Sequence, residues 1–127
     1  MRYPTLDEVL TLHQLALDAH GGSTGVRDPG LLQSALAAPR QTMFGEELYP
    51  GITDKSAILL YLLTQNHPFV DGNKRIALSA CFWFLESNGY TLDVEKEALY
   101  QFTVDIAKGQ MDKNAVTAWM REHLRPL

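Results

Sequence analysis

The sequence has a single cysteine, Cys81, so no disulfide framework can be built from it. Cys81 lies inside an apolar run, where a small buried hydrophobe needs no further role. Long hydrophobic runs are missing too. Ala57–Leu63 is among the longest purely apolar stretches and is far too short to cross a bilayer, so no membrane role is expected. Met1-Arg2-Tyr3-Pro4 carries no apolar signal-peptide core, and the expectation is a cytoplasmic protein. There is no basic excess either. The formal net charge is −4 and the Lys and Arg residues are scattered, which argues against a broad nucleic-acid footprint. No internal repeat, low-complexity tract or linker divides the chain. What remains is an ordinary globular composition, 46% hydrophobic and 20% charged over 127 residues, sufficient for one domain (1–127) with its own core.

Helical signals dominate. Thr5-Leu6-Asp7-Glu8 has the form of a capping box, with Thr5 as N-cap and Glu8 three residues on. Leu6, Val9, Leu10, Leu12, His13, Leu15, Ala16 and Leu17 then give a broad apolar face that should end near His20, before Gly21-Gly22. His13 and His20 read as a packed and a C-terminal histidine rather than metal ligands, since no cysteine or acid completes a ligand pattern. Asp28-Pro29 opens a second short helix that Pro39 ends, and Arg27 beside Asp28 reads as a local surface pair. Helical period is lost from Arg40 to Ile52, where Gly45 and Pro50-Gly51 mark turns among Met43, Phe44, Leu48 and Tyr49. Two readings stand for this segment: a covering loop that plugs the core, and a flap or short hairpin over a site.

Thr53 or Asp54 is expected to cap a third helix that runs to about Asn66 and is apolar nearly all round. Pro68 forbids its continuation and biases His67 away from the α region. A fourth helix is expected from about Gly72 to Ser87, stopped by Asn88-Gly89. Asp93 is expected to cap a fifth, from about Val94 to Ala107, and Asp112 a sixth, through Val116, Trp119, Met120 and Leu124. The fold class is therefore all-α, with about six helices, a central buried helix and one irregular segment.

Between the third and fourth helices stands His67-Pro68-Phe69-Val70-Asp71-Gly72-Asn73-Lys74-Arg75. Gly72 and Asn73 fall in a first helical turn, where unpaired N–H groups and the helix dipole favour an anion and glycine lets a phosphate approach. Lys74 adds a point charge and Arg75 a fork able to hold two phosphate oxygens. Asp71 would repel a bare phosphate, and makes sense if Mg²⁺ bridges the carboxylate and the phosphates. His67 is an imidazole able to take the proton of a hydroxyl that attacks phosphorus. Each residue also has an ordinary reading: Asp71 as a helix cap, Lys74 and Arg75 as a solvated turn, His67 as a structural residue. Two cations at a helix N-terminus, however, oppose the macrodipole and are more easily explained by an anion. Together these residues form the parts list of phosphoryl or nucleotidyl transfer.

The nine residues resemble the Fic/Doc signature H-x-F-x-[D/E]-[G/A]-N-[G/K]-R, which they match without a gap from His67 to Arg75. The resemblance extends to Gly25-Val26-Arg27-Asp28-Pro29-Gly30-Leu31-Leu32 and to Phe84-Leu85-Glu86-Ser87-Asn88-Gly89-Tyr90, which are similar to death-on-curing (Doc) toxins. AMP-transferring Fic enzymes have glycine in place of Lys74 and a second arginine where this chain has Leu78. Both departures are those of Doc toxins. The resemblance thus implies a kinase that binds ATP in the reverse sense and gives its γ-phosphate to a protein hydroxyl. The family's target is the translation factor EF-Tu, so the expected outcome is inhibition of translation. It implies His67 as general base, Asp71 as Mg²⁺ ligand, Gly72, Asn73 and Lys74 as anion cradle, and Arg75 as phosphate holder. The segment Thr42, Met43, Phe44, Gly45 to Leu48 and Tyr49 would be the flap that aligns the target peptide, by strand addition. No inhibitory [S/T]-x-x-x-E-[G/N] string stands in a suitable place. Restraint is therefore expected in trans, from a cognate antitoxin whose C-terminal segment covers the site, as in Phd/Doc pairs. AMP transfer and a non-catalytic nucleotide- or peptide-binding module are the competing readings.

Overall fold

A computed structural model describes all residues, Met1–Leu127. Helix α1 (Leu6–His20) starts on the capping box: the Thr5 hydroxyl accepts from Glu8 N–H and the Glu8 carboxylate accepts from Thr5 N–H. Val9, His13 and Leu17 face the core, whereas Leu10 and Leu15, expected on the apolar face, are exposed. The stripe is narrower than the sequence suggests because only one neighbouring surface is available to a helix on the outside of the bundle. Asp28 caps helix α2 (Pro29–Ala37) through Leu31 N–H, and a 3₁₀ turn, Ala38–Arg40, follows it.

The irregular segment contains a hairpin. Strand β1 (Thr42–Met43) pairs antiparallel with β2 (Glu46–Glu47), and Phe44 and Gly45 between them both have positive φ, the pattern a type I′ turn requires. Met43, Phe44 and Leu48 are exposed, Phe44 almost completely, so the segment does not plug the core. It is tied down by a residue that carries no signal in the sequence. Lys55, only 2% exposed, donates to Pro39 O at 2.8 Å and pairs with Glu47 at 3.0 Å.

Helix α3 (Gly51–Gln65) begins earlier than Thr53 or Asp54. Extended Pro50 and positive-φ Gly51 turn the chain into the helix, leaving Asp54 in the first turn, where its charge suits the dipole. Helix α4 (Asn73–Ser87) lies against α3, and the two form the centre of the protein: Leu59, Leu60, Leu63, Ile76, Ala77, Ala80, Cys81 and Phe84 are all buried. Burial pushes the Cys81 thiol up to about 12, so it stays a protonated core group.

Strand β3 (Tyr90–Leu92) pairs with the C-terminal strand β4 (Leu124–Pro126), a second hairpin-like pairing absent from the sequence reading. This pairing also moves a helix boundary. Asp93 N–H is drawn into the ladder, donating to His123 O at 2.8 Å. Helix α5 (Lys96–Ala107) therefore starts after Glu95, without a side-chain cap, and not on Asp93. Asp112 caps helix α6 (Lys113–His123), as the sequence indicates. The architecture is all-α, six helices around one core with two small two-stranded ribbons. No helix is long and apolar enough to cross a membrane.

The Lys55 anchor makes a prediction. Glu47→Ala leaves a buried ammonium with one carbonyl as its only hydrogen-bond partner, at a cost of about 1–2 kcal/mol. Urea unfolding should show that loss, and amide exchange should show faster opening at Met43 and Glu46. An unchanged midpoint would mean the hairpin does not depend on the pair.

Candidate functional site

The site begins where α3 ends. His67 takes a positive φ of 46°, rare for a residue other than glycine, and it stands directly before a proline. Arg27 holds this turn from outside: Nε donates to His67 O at 2.7 Å and Nη2 to Asn66 O at 2.6 Å. The expected surface pair with Asp28 is not formed, because Asp28 is used as a helix cap and the guanidinium fork fits two adjacent carbonyls. The backbone joins in. Arg27 N–H and Asp28 N–H both donate to Pro68 O, Val70 N–H donates to Gly25 O, and Val26 bridges to Phe69.

Asn73 closes the loop from the other side. Its Oδ1 accepts from Phe69 N–H at 2.9 Å and its Nδ2 donates to Phe69 O at 3.0 Å. Phe69 is thereby seated in the core, 1% exposed. The Asn73 side chain is consumed by this task, and what it offers a ligand is its backbone N–H.

Asp71 lies between these two fixings. Oδ2 accepts from Ser23 N–H at 3.1 Å and Oδ1 from Gly72 N–H at 2.8 Å. These two N–H groups, first Ser23 and then Gly72, hold its carboxyl below the usual carboxylate value of 3.8. Partial desolvation opposes them, and the charges of His13 and Arg75 reinforce them. Gly22 allows the loop to come this close, since a Cβ there would sit 2.7 Å from Asp71 Oδ2. The carbonyl of Asp71 meets Nε2 of His13 at 2.9 Å, and the His13 ring stacks on Phe69 with centroids 4.0 Å apart.

Gly72 is left-handed (φ 74°, ψ 24°) and leads into α4. The first backbone donor of α4 with a partner is Ile76, bonded to Gly72 O, so the N–H groups of Asn73, Lys74 and Arg75 are free. Lys74 and Arg75 are exposed and form no ion pair. The mouth of α4 opens on a cleft of about 620 Å³, lined by Asp71 to Arg75, Leu78, His20 and one face of α5: Lys96, Leu99, Tyr100 and Thr103. Lys96 adds a third cation. Neither it nor His20 was singled out as a site residue, because each reaches the cleft through tertiary packing and not through the motif's spacing.

His67 does not line this cleft; it is exposed, and neither of its ring nitrogens is hydrogen-bonded within the protein. The hairpin residues Met43, Phe44 and Leu48 line a separate open groove of about 440 Å³, together with Glu46 and Glu47. The fold thus joins Asp71, Gly72, Asn73, Lys74 and Arg75 in one cleft and keeps His67 and the 42–49 segment outside it.

Asp71 is the one carboxylate lining the cleft. Its two oxygens present about four lone-pair directions, and Ser23 and Gly72 use two of them. A divalent cation would share the remainder with phosphate oxygens and water, which is how Mg²⁺ sits at nucleotides, so the donor set fits that ion.

Comparison with protein families decides the relationship. The model of the Fic/DOC family matches residues 3–85. The chain belongs to the Fic/Doc family. Among curated relatives, it is 42% identical over 113 residues to the protein named Toxin Doc from Mycolicibacterium smegmatis, covering 89% of this chain and 80% of that protein. It is 29% identical over 121 residues to the protein named Protein kinase doc from Escherichia phage P1, covering 95% and 94%. The family match spans the whole of the motif loop and most of α4, including every residue that pins Asp71.

Two outcomes follow from this geometry. Gly22→Ala places a Cβ against Asp71 at a φ of +122°, so the 22–24 loop or the Asp71 carboxylate must shift, costing about 1–3 kcal/mol. The Ser23–Asp71 bond should be lost with it, visible as loss of amide protection at Ser23. The second concerns pH. A depressed folded-state pKa contributes stability that is present above 3.8 and lost as pH falls through the lower, folded value. Protection of the Ser23 and Gly72 amides should therefore hold at pH 5 and fade in acid below about 4, and Asp71→Asn should remove that dependence.

Proposed function

We propose that the protein is the toxin of a toxin–antitoxin pair and a Mg²⁺- and ATP-dependent kinase that transfers the γ-phosphate to a hydroxyl of a translation factor. The observation that carries the reading is one cleft in which an ionised, backbone-held carboxylate stands beside three unpaired N–H groups and three cations. The names of the two relatives, a toxin and a protein kinase, support the same reading.

In this reading the N–H groups of Asn73, Lys74 and Arg75 bind phosphate oxygens, with the dipole of a 15-residue helix behind them. Lys74, Arg75 and Lys96 balance the triphosphate charge. Asp71 is the chain's ligand for Mg²⁺, which supplies charge neutralisation on the phosphates when bound. Leu78, where a second arginine would clamp phosphate, leaves the inner wall apolar and favours the reversed nucleotide. The His67 imidazole accepts the proton of the target hydroxyl as its oxygen bonds to the γ-phosphorus. The bond from that phosphorus to the β–γ bridging oxygen breaks and ADP leaves. His67 is exposed and free of internal bonds, which suits a base that meets a second protein. The outer edges of the β1–β2 hairpin carry no further strand, so an extended target segment has somewhere to add. An antitoxin segment that covers the cleft would restrain the activity.

ATP labelled separately at the α and γ phosphates tests the reading against its rival, AMP transfer. The expected result is labelled translation factor from γ-labelled ATP only, with His67→Ala reducing labelling by about 10²–10⁴-fold. Label from the α-phosphate would establish AMP transfer instead. Labelling that survives His67→Ala unchanged would remove the base.

A further inference from the structure

His13 is 5% exposed in the middle of α1, distant in sequence from the motif, and it is not part of the phosphate cleft. A core position on a helix is served by leucine or phenylalanine, with no polar atom to satisfy. Here a ring nitrogen points at a backbone carbonyl, Asp71 O, 2.9 Å away. A carbonyl only accepts, so Nε2 carries the proton and donates. Stacking on Phe69, with ring planes 21° apart, fixes the plane in which that proton lies.

The consequence runs through one peptide unit. The carbonyl of Asp71 and the N–H of Gly72 belong to the same planar group and point in opposite directions. Holding the carbonyl on His13 therefore aims the N–H, which donates to Asp71 Oδ1 at 2.8 Å. The Ser23 N–H holds Oδ2 from the other side. Gly72, left-handed and without a Cβ, is the soft joint at which this peptide would otherwise rotate. All three oxygens of Asp71 are pinned, and His13 is the only side chain that does any of the pinning.

We propose that His13 is a positioning residue for the metal-binding carboxylate: its Nε2–H fixes the 71–72 peptide and so the direction in which Asp71 presents its free lone pairs. This rests on the reading of Asp71 as the Mg²⁺ ligand.

Two variants separate the donor from the packing. His13→Phe keeps a ring of similar size against Phe69 and removes the donor. His13→Gln keeps an N–H at about the reach of Nε2 and removes the stack. Each is compared with wild type where circular dichroism shows it folded. Three quantities are read: Mn²⁺ bound in the presence of ATP, by electron paramagnetic resonance; amide exchange at Gly72 without metal; and the Mg²⁺ dependence of labelling. The expected result is roughly tenfold weaker Mn²⁺ binding in His13→Phe, the scale seen when a partner that orients a metal ligand is lost. Gly72 exchange should be faster in that variant, the Mg²⁺ for half-maximal rate higher, and the rate at saturating Mg²⁺ closer to wild type. His13→Gln should restore most of the affinity. A folded His13→Phe with wild-type Mn²⁺ affinity and Gly72 exchange would overturn the proposal, and so would a larger loss in His13→Gln than in His13→Phe, which would reduce His13 to packing. Wild-type protein that binds ATP but takes up no Mn²⁺ would instead remove the metal reading of Asp71, whatever Gly72 exchange showed.

Discussion

The two hydrogen bonds between the Asn73 side chain and the backbone of Phe69 set the terms for the rest of the site. They close a loop of five residues on itself at the start of α4 and seat Phe69 among the buried side chains. A loop that carries a core residue cannot drift from the core. Everything polar on either side of Phe69 is therefore placed with core-like definition: His67 before it, Asp71 after it, and the free N–H groups of α4 beyond. The same bonds explain how a helix can start without a side-chain cap. The amide that sits at the first helical position satisfies the loop instead, and the helix N–H groups are left for a ligand.

The polar ledger points one way. Asp71 is held ionised by two backbone donors, while the neighbouring cations Lys74 and Arg75 oppose the helix dipole and form no ion pair. The exposed cations do not serve stability by themselves. Lys55, the other notable charge, shows the contrast: it is buried, paired and bonded to a carbonyl, which is what a structural cation does. Charges left exposed and uncompensated around a cleft are instead available to an anion. The left-handed turn at His67 belongs with them. Its strain is offset by the Arg27 fork on its carbonyl, and it turns an imidazole outward, away from the core.

Local signals carried much of the fold. The caps at Thr5, Asp28 and Asp112 stand where the sequence places them, because a cap depends only on the next few residues. The motif loop was legible for the same reason: Pro68 and Gly72 dictate backbone, and the charges follow within one turn. What escaped was long-range. The pairing of Tyr90–Leu92 with Leu124–Pro126 joins segments far apart in sequence, and it took Asp93 from its expected role as a cap. Arg27, His13, Gly22 and Lys96 each looked ordinary in the sequence, since a surface arginine, a core histidine, a helix-stop glycine and a lone lysine are common. Only the approach of α1, the 22–28 loop and α5 to the motif gives them their contacts. The hairpin at Thr42–Glu47 was one of two readings, and its Phe44-Gly45 turn was hard to see because phenylalanine seldom takes positive φ.

The central claim is that the mouth of α4 is a phosphate site completed by a metal on Asp71. It is tested most directly by following the backbone amide resonances of Asn73, Lys74 and Arg75 while inorganic pyrophosphate is added, with and without Mg²⁺. The account predicts that these three amides shift first and most, that Mg²⁺ tightens the binding, and that Asp71→Asn removes the effect of Mg²⁺ but not the shifts. Pyrophosphate that moves other amides and leaves these three in place would contradict it.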